Sequence, residues 1–278
     1  MSNPVDRFYA KRRKKRRWSQ DGQAGPVTYV LPNLFTTGNL FAGFYGIVSS
    51  INGHYDNAAI AILVSCVFDI LDGKIARLTK ATSRFGLEYD SLADLVAFGV
   101  GPGLLMYLWA LKPFGRLGWL AAFLFVACGA LRLARFNVQA GNGSKKYFTG
   151  LPIPGAACMV ATTVLFLFKI KGTDFSPVHA IFLLETFVLG FLMVSSIPFD
   201  SFKELEVVKG RPVPVLFVLV LLVTVVAAQP SLMLFVVFTL YVLSGPVRYV
   251  FRKVKRVKTL EDGSSPCEVP KENGSSAS

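Results

Sequence analysis

Long apolar runs recur along this chain from about residue 27 to residue 250, and they constrain its fold more than any other feature. A helix needs about 20 consecutive apolar residues to cross the hydrocarbon of a bilayer. The runs are about that long, and the 53% hydrophobic content of the 278 residues exceeds that of soluble domains. The sequence therefore predicts an all-α polytopic membrane protein, with one membrane domain taking up nearly the whole chain.

Eight membrane-spanning helices are predicted, with ends defined to within several residues. They cover residues 27–51, 57–79, 91–111, 118–138, 153–170, 178–198, 212–229 and 231–249. The last two spans are separated only by a short Gln-Pro-Ser connection, which favours a helical hairpin. Polar composition with Pro, Gly and Ser predicts disorder for residues 1–25 and 259–278.

The charge of the chain, a net +13, is concentrated in two basic runs, KRRKKRR (11–17) and RYVFRKVKRVK (248–258). Basic runs can bind nucleic acid, but beside apolar spans they more often lie at the cytoplasmic leaflet. The loops 52–56, 112–117, 171–177 and 230 together hold only three of the 30 Lys and Arg residues. By the positive-inside rule both termini are cytoplasmic, and no nucleic-acid partner is expected.

Four aspartates, Asp69, Asp72, Asp90 and Asp94, lie at the cytoplasmic ends of the second and third spans. At 100° per residue, Asp69 and Asp72 share a helix face with two small residues. Asp90 and Asp94 form a second stripe at i and i+4. A short connection makes the two helices neighbours, so the four carboxylates are expected to converge across a groove.

Converging carboxylates need either protons or a cation, because two of them about 6 Å apart repel by about 3 kcal/mol at an effective dielectric constant of about 20. All-oxygen ligands favour Mg²⁺ or Mn²⁺, and such a site beside lipid phosphates suits phosphoryl transfer. The alternative is that the aspartates act as helix caps or surface charges. That alternative suits Asp90 as a cap of the third span, but not Asp69 and Asp72, because charged groups inside apolar helices are usually functional.

The aspartate stretch reads D-x2-D-G-x2-A-R-x8-G-x3-D-x3-D from residue 69 to residue 94. This pattern resembles the signature of the CDP-alcohol phosphotransferase family. Four further blocks resemble the branch of that family that transfers a phosphatidyl group from CDP-diacylglycerol to serine. The blocks are LPNLFTTGNLFAGF (31–44), LRLARFN (131–137), FTGLPIPGAA (148–157) and MVSSIPFDSFK (193–203).

The resemblance implies a division of the chain into four parts. They are a basic cytoplasmic segment (1–25), a six-helix catalytic core (26–203), two additional transmembrane helices (204–250) and a basic, then disordered, cytoplasmic tail (251–278). It also implies a homodimer, and we expect the protein in the bacterial plasma membrane with a cytoplasmic active site.

The resemblance further implies roles for individual residues. Asp69, Asp72 and Asp90 would bind a pair of Mg²⁺ or Mn²⁺ ions, with Asp94 also near the metals and acting as the general base. The nucleotide and its phosphates would be held by Asn33, Thr36, Gly73, Ala76, Arg77 and Gly86. The substrates would be CDP-diacylglycerol, drawn from the membrane lipid, and L-serine.

Serine brings a carboxylate and an ammonium group, so basic and polar residues near the cytoplasmic face are candidates for acceptor binding. They are Arg132, Arg135, Asn137 and Lys145. For Arg135, snorkelling to the interface explains the sequence equally well. The same residues could serve glycerol 3-phosphate or inositol, so the acceptor stays open. A divalent-cation transporter is a third hypothesis, but it needs polar groups continuing through the membrane, and here the acids stop at one face.

Overall fold

The computed structural model describes residues 26–79, 83–141, 150–171, 179–197 and 229–262, and every regular element in these ranges is helical. The α-helices are α1 (Pro26–Ile51), α2 (Tyr55–Leu78), α3 (Arg84–Asp94), α4 (Gly101–Met106), α5 (Arg116–Gly141), α6 (Ile153–Lys171), α7 (His179–Val194) and α8 (Pro230–Asp262). The predicted all-α class is confirmed.

Five helical stretches in the described part of the chain are long and apolar enough to cross a membrane. They are Val30–Ile51, Phe85–Phe114, Arg116–Val138, Ile153–Ile170 and Pro230–Tyr249. These stretches fit an integral membrane protein. The second predicted span coincides with α2, whose last ten residues, 69–78, include four charged ones. The sixth coincides with the shorter α7, and the predicted span 212–229 lies outside the described residues except for its last residue.

The third span is a continuous but irregular helical stretch. α3 passes into a π-helical segment, Leu95–Val100, then into α4, a second π-helical segment, Tyr107–Leu111, and a 3₁₀ turn. It begins well before the predicted residue 91 because Ser83 caps α3, its Oγ accepting a hydrogen bond from the Gly86 N–H at 2.9 Å. The alternative that Asp90 caps the third span is therefore wrong, since Asp90 lies inside α3.

Helix α1 packs closely against α2 and the third span because glycines line its contact face. A Cβ at Gly43 would lie only 2.6 Å from the Cβ of Ala97, and one at Gly38 would lie 3.0 Å from the Phe68 ring. Real Cβ atoms do not approach so closely, so a larger residue at Gly43 would push α1 away. The glycines thus bring α1 within reach of the two helices that carry the aspartates.

The core lies where α6 meets α2, the third span and α8. Small side chains dominate it, including fully buried Ala156, Ala157 and Ala161 on α6, with Phe98 and Ile62 filling the larger gaps. Large apolar side chains on the outer faces of α1 and α5, such as Phe41 and Phe123, are exposed. That arrangement is expected where hydrocarbon rather than water surrounds a protein.

Helix α8 continues through the basic run to Asp262, beyond the predicted end of the span at residue 249. Residues 251–262 contain no Gly or Pro, and their Arg, Lys and Leu residues have high helix propensity. Gly263 follows directly, a residue type common just after helix ends. Residues 259–262, for which disorder was predicted, are therefore helical.

Candidate active site

Three of the four motif aspartates meet between α2 and α3. Asp69 and Asp72, one turn apart on α2, face Asp90 on α3, and one carboxylate oxygen from each lies within 4.8 Å of the others. We call these three residues the aspartate cluster. The i, i+3 spacing on α2 places both of its carboxylates on one face, as the sequence predicted.

The aspartate cluster is arranged in a way that fits a divalent cation. Asp72 is 5% exposed, and Asp72 Oδ2 and Asp90 Oδ1 are buried without a hydrogen-bond partner among the described residues. Unpaired buried acceptors are costly, and each pair of ionised carboxylates at about 4.8 Å repels by about 3.5 kcal/mol at an effective dielectric constant of about 20. A hard cation would offset both costs, and the donor set consists of oxygens only.

Asp94 lies one turn beyond Asp90 and has different surroundings. It is outside the group of three, although it is close enough to each of them to interact electrostatically. Its Oδ1 accepts a hydrogen bond from Asn39 Nδ2 on α1 at 2.9 Å, and its side chain is only 8% exposed. The structure thus separates three carboxylates that face one another from a fourth that is held by an amide.

The residues predicted to hold the nucleotide border the aspartate cluster on two sides. Thr36, buried on α1, lies near the Asp72 carboxylate, and its Oγ1 donates a hydrogen bond to Pro32 O at 3.2 Å. Asn33 Oδ1 lies 3.3 Å from where a Cβ on Gly86 would be. The α1 segment that contains both residues therefore lies against α2 and α3 next to the carboxylates.

The face of α2 that carries Asp69 and Asp72 also offers space. The nearest atom to a Cβ built on Gly73 is Arg77 Nη2, at 3.9 Å, so the glycine borders an open volume rather than a packed helix. Ala76 is half-buried and the Arg77 side chain is exposed. Small residues beside the carboxylates, with an exposed guanidinium one turn on, leave room for a bulky anionic ligand.

The candidates for acceptor binding have more protein contacts than the sequence indicated. Arg132 is half-buried, interacts electrostatically with Tyr241 of α8, and its Nη1 lies 3.0 Å from where a Cβ on Gly150 would be. Gly150 has φ +91°, so both its backbone and its neighbours disfavour a side chain there.

The remaining acceptor candidates differ in their surroundings. Asn137 bridges α5 and α3, its Nδ2 donating to Ser91 Oγ at 3.0 Å and to Glu88 Oε2 at 3.3 Å. Arg135 is exposed, and Lys145 lies outside the described residues. The hydrogen bonds of Asn137 are a structural role that the sequence did not predict.

Three polar residues inside apolar helices had no role assigned to them from the sequence. Asn39 and Ser65 are fully buried on α1 and α2, and the Ser65 hydroxyl donates to Asn39. Glu185 on α7 accepts a hydrogen bond from Thr163 Oγ1 of α6 at 2.8 Å, which accounts for a carboxyl inside an apolar run. A polar side chain within a predicted span was the signal available for all three.

Comparison with known sequences bears directly on this arrangement. The profile of the CDP-alcohol phosphatidyltransferase family matches residues 29–192, which is more than half of the chain. The chain belongs to the CDP-alcohol phosphatidyltransferase family. The resemblance read from the aspartate motif is thereby confirmed, and the family match includes the aspartate cluster, Asp94 and Asn39.

Individual relatives align with a larger part of the chain than the family profile does. A protein of Helicobacter pylori (strain J99) named CDP-diacylglycerol–serine O-phosphatidyltransferase is 40% identical over 228 residues, covering 82% of this chain and 94% of the relative. A protein of the same name from Bacillus subtilis (strain 168) is 35% identical over 63% of this chain and 92% of its own length. An archaetidylserine synthase of Methanothermobacter thermautotrophicus is 40% identical over 61% of this chain and 69% of its own length.

Proposed function

We propose that this family member transfers the phosphatidyl group of CDP-diacylglycerol to the hydroxyl of L-serine, giving phosphatidylserine and CMP. The observation that carries the reaction type is the aspartate cluster, with its unpaired buried oxygens, inside the family's motif. The choice of serine is supported by relatives of that name that align along most of this chain.

The aspartate cluster would hold a pair of Mg²⁺ or Mn²⁺ ions. Such ions would supply positive charge to neutralise the pyrophosphate and to stabilise the phosphate that leaves. Asp72 Oδ2 and Asp90 Oδ1 are the oxygens we assign first as ligands, because they are buried and accept no hydrogen bond from the described residues. Asp69 completes the set from α2.

Asp94 would act as the general base. A serine hydroxyl is a weak nucleophile near neutral pH, so a carboxylate positioned beside it is needed to take its proton. The hydroxyl oxygen then attacks the phosphorus that bears diacylglycerol, and the bond to the CMP oxygen breaks with its electron pair leaving on CMP. Asp94 suits this role because it interacts with the cluster electrostatically without joining the group of three.

The nucleotide would be held where α1 meets α2 and α3. Asn33 and Thr36 offer polar groups beside Gly86 and Asp72, respectively. Gly73 and Ala76 would let the cytidine nucleotide come close, and Gly86 would do the same on α3. The exposed Arg77 guanidinium would pair with a substrate phosphate.

Serine would be bound from the side of α5. Arg132 and Arg135 are the charged candidates for its carboxylate, with Asn137 and Lys145 as weaker ones. In this arrangement α1, α2 and α3 carry the chemistry and α5 supplies acceptor recognition. We also propose that both termini and the active site face the cytoplasm of a bacterium and that the protein is a homodimer.

The deciding experiment is CMP release by the purified protein in detergent with CDP-diacylglycerol and Mn²⁺ or Mg²⁺. We expect release to depend on L-serine and to be negligible with the same concentration of inositol or glycerol 3-phosphate. Release with another alcohol would retain the aspartate mechanism and refute serine as the acceptor. No release with any acceptor, from a folded and metal-loaded sample, would refute the transferase reaction itself.

A further inference from the structure

A buried hydrogen-bonded chain reaches Asp94 from the side of α1 and α2. Asn39 on α1 is 0% exposed, and so is Ser65 on α2. Asn39 Nδ2 donates to Asp94 Oδ1 at 2.9 Å, while the Ser65 hydroxyl donates to Asn39 Oδ1 and also lies 3.1 Å from Asn39 O. Three helices thus contribute one polar side chain each to a single buried line of contacts.

The direction of this chain of hydrogen bonds is fixed by chemistry. An ionised carboxylate only accepts hydrogen bonds, so the group of Asn39 that faces it is the NH₂ end of the amide. The carbonyl end of the amide then faces Ser65, whose hydroxyl can donate to it. An amide turned the other way would place an oxygen against the carboxylate, so Asp94 selects this orientation. The Ser65 hydroxyl then adds a second hydrogen bond, to the amide carbonyl, that holds the side chain in place.

Helix packing restricts the position of the Asn39 side chain. Gly38 and Gly43 flank it on α1, and a Cβ at either position would meet Phe68 of α2 or Ala97 of the third span at 3.0 Å or less. Close packing on both sides holds the amide at a fixed distance from both partners. Within the described part of the chain, Asp94 Oδ2 accepts no hydrogen bond, so one carboxylate oxygen is fixed and the other is available.

We propose that Asn39 is a positioning residue for the reaction: it fixes the Asp94 carboxylate through Oδ1 so that Oδ2 meets the acceptor hydroxyl, and Ser65 holds the Asn39 side chain in place through its amide carbonyl. The inference rests on the proposed function, in which Asp94 is the base. Asn39 itself touches neither substrate nor metal in this scheme. Supporting residues of this kind typically change activity by about 10- to 100-fold when they are removed.

The test compares Asn39→Leu, which keeps a similar volume without a donor, with Ser65→Ala in the full-length protein. We expect kcat to fall by about 10- to 100-fold in Asn39→Leu and by a smaller factor in Ser65→Ala. The KM values for serine and CDP-diacylglycerol and the Mn²⁺ affinity should stay near wild type. Thr162→Ala is the matched control, because Thr162 is fully buried and its hydroxyl, among the described residues, bonds only to carbonyls of its own helix.

A double variant separates positioning from general stability. Once Asp94→Asn has removed the base, adding Asn39→Leu should lower the residual rate no further. An unchanged kcat in Asn39→Leu, a parallel loss of Mn²⁺ binding, or a fully additive double variant would overturn the inference. If Asn39→Leu does not fold, an unchanged kcat in Ser65→Ala overturns it. Wild-type activity in Asp94→Asn would instead refute the base assignment on which the proposal rests.

Discussion

The four motif aspartates are chemically identical side chains that the fold places in two kinds of surroundings. Asp72 and Asp90 each keep a buried oxygen without a partner in the described residues, whereas Asp94 has an amide donor at 2.9 Å. Unpaired oxygens facing one another suit a cation, and a carboxylate oriented by a donor suits proton transfer. The two roles can therefore be tested by separate substitutions.

Asp72→Asn is expected to abolish both Mn²⁺ binding and turnover, because it replaces one of three converging carboxylates with an amide. Mn²⁺ binding can be measured by electron paramagnetic resonance on the purified protein, independently of activity. Asp56→Asn is the matched control, since Asp56 lies in the first turn of the same helix. Mn²⁺ binding at wild-type affinity in Asp72→Asn would contradict the assignment of the aspartate cluster as the metal site.

Asp94→Asn is expected to lower kcat by about 10²- to 10⁴-fold, the usual contribution of a general base, while the protein stays folded. Mn²⁺ binding should be retained, because Asp94 lies outside the group of three. Steady-state CMP release and the melting temperature, measured on the same sample, separate lost chemistry from lost structure. Turnover like that of the wild type would show that another group takes the proton.

The spacing of the motif was sufficient to predict which residues form the candidate site, but not how each of them is held. Helical periodicity places Asp69 and Asp72 on one face, and the short connection brings Asp90 opposite them. The contact between Asn39 and Asp94 could not be predicted, because it depends on how α1 is rotated against the third span. Likewise, no sequence pattern indicated that Asn137 bonds to Glu88 and Ser91.

At the scale of helices, the third span departs most from its predicted form. A regular helix was predicted for 91–111, yet the chain enters a π-helical segment directly after Asp94. π-helical turns are rare and often lie at functional sites. Three of its residues, Ala97 to Gly99, are buried, but so are consecutive residues of the regular helix that follows, so burial does not mark where the π-helical turns lie. Hydrophobic periodicity alone could not have located them.

The close contact between α1 and this π-helical segment predicts a sharp dependence on side-chain size. Gly43→Leu should destabilise the protein by about 1–3 kcal/mol or more, because the new side chain would overlap Ala97. Activity should fall with it, since α1 also carries Asn33, Thr36 and Asn39. Thermal unfolding in detergent is the measurement, and Phe44→Leu, at an exposed neighbouring position, is the control. Equal melting temperatures would mean that α1 can move aside.

For the whole molecule, the distribution of basic residues predicts which side of the membrane each end occupies. Cys267 in the C-terminal tail should react with a membrane-impermeant maleimide in inverted vesicles and stay unlabelled in right-side-out vesicles. Cys267→Ser provides the control, because labelling that persists must come from another cysteine. Labelling of Cys267 from the outside only would reverse the topology and move the aspartate cluster to the opposite face.

The overall class was predictable because membranes restrict a chain to few solutions. Backbone N–H and C=O groups in the bilayer must form hydrogen bonds within the protein, so long apolar runs are expected to be helices. The described helices coincide with seven of the eight predicted spans. Element ends were less accurate, as the start of α3 and the extension of α8 illustrate. Both helix ends depend on local capping and helix propensity, whereas an apolar run indicates only which residues would lie in the hydrocarbon of the bilayer.

The support of Asp94 has a consequence for how such an enzyme can change during evolution. Asn39 and Ser65 reach the carboxylate from α1 and α2, whereas the candidate residues for acceptor recognition lie on α5 and in the segment that follows it. Under the proposed function, substitutions at Arg132 or Arg135 on α5 would alter which alcohol is accepted without replacing the groups that orient the base. One inherited reaction centre could be retained while new head groups are acquired, and the same separation gives protein engineers a defined surface to randomise.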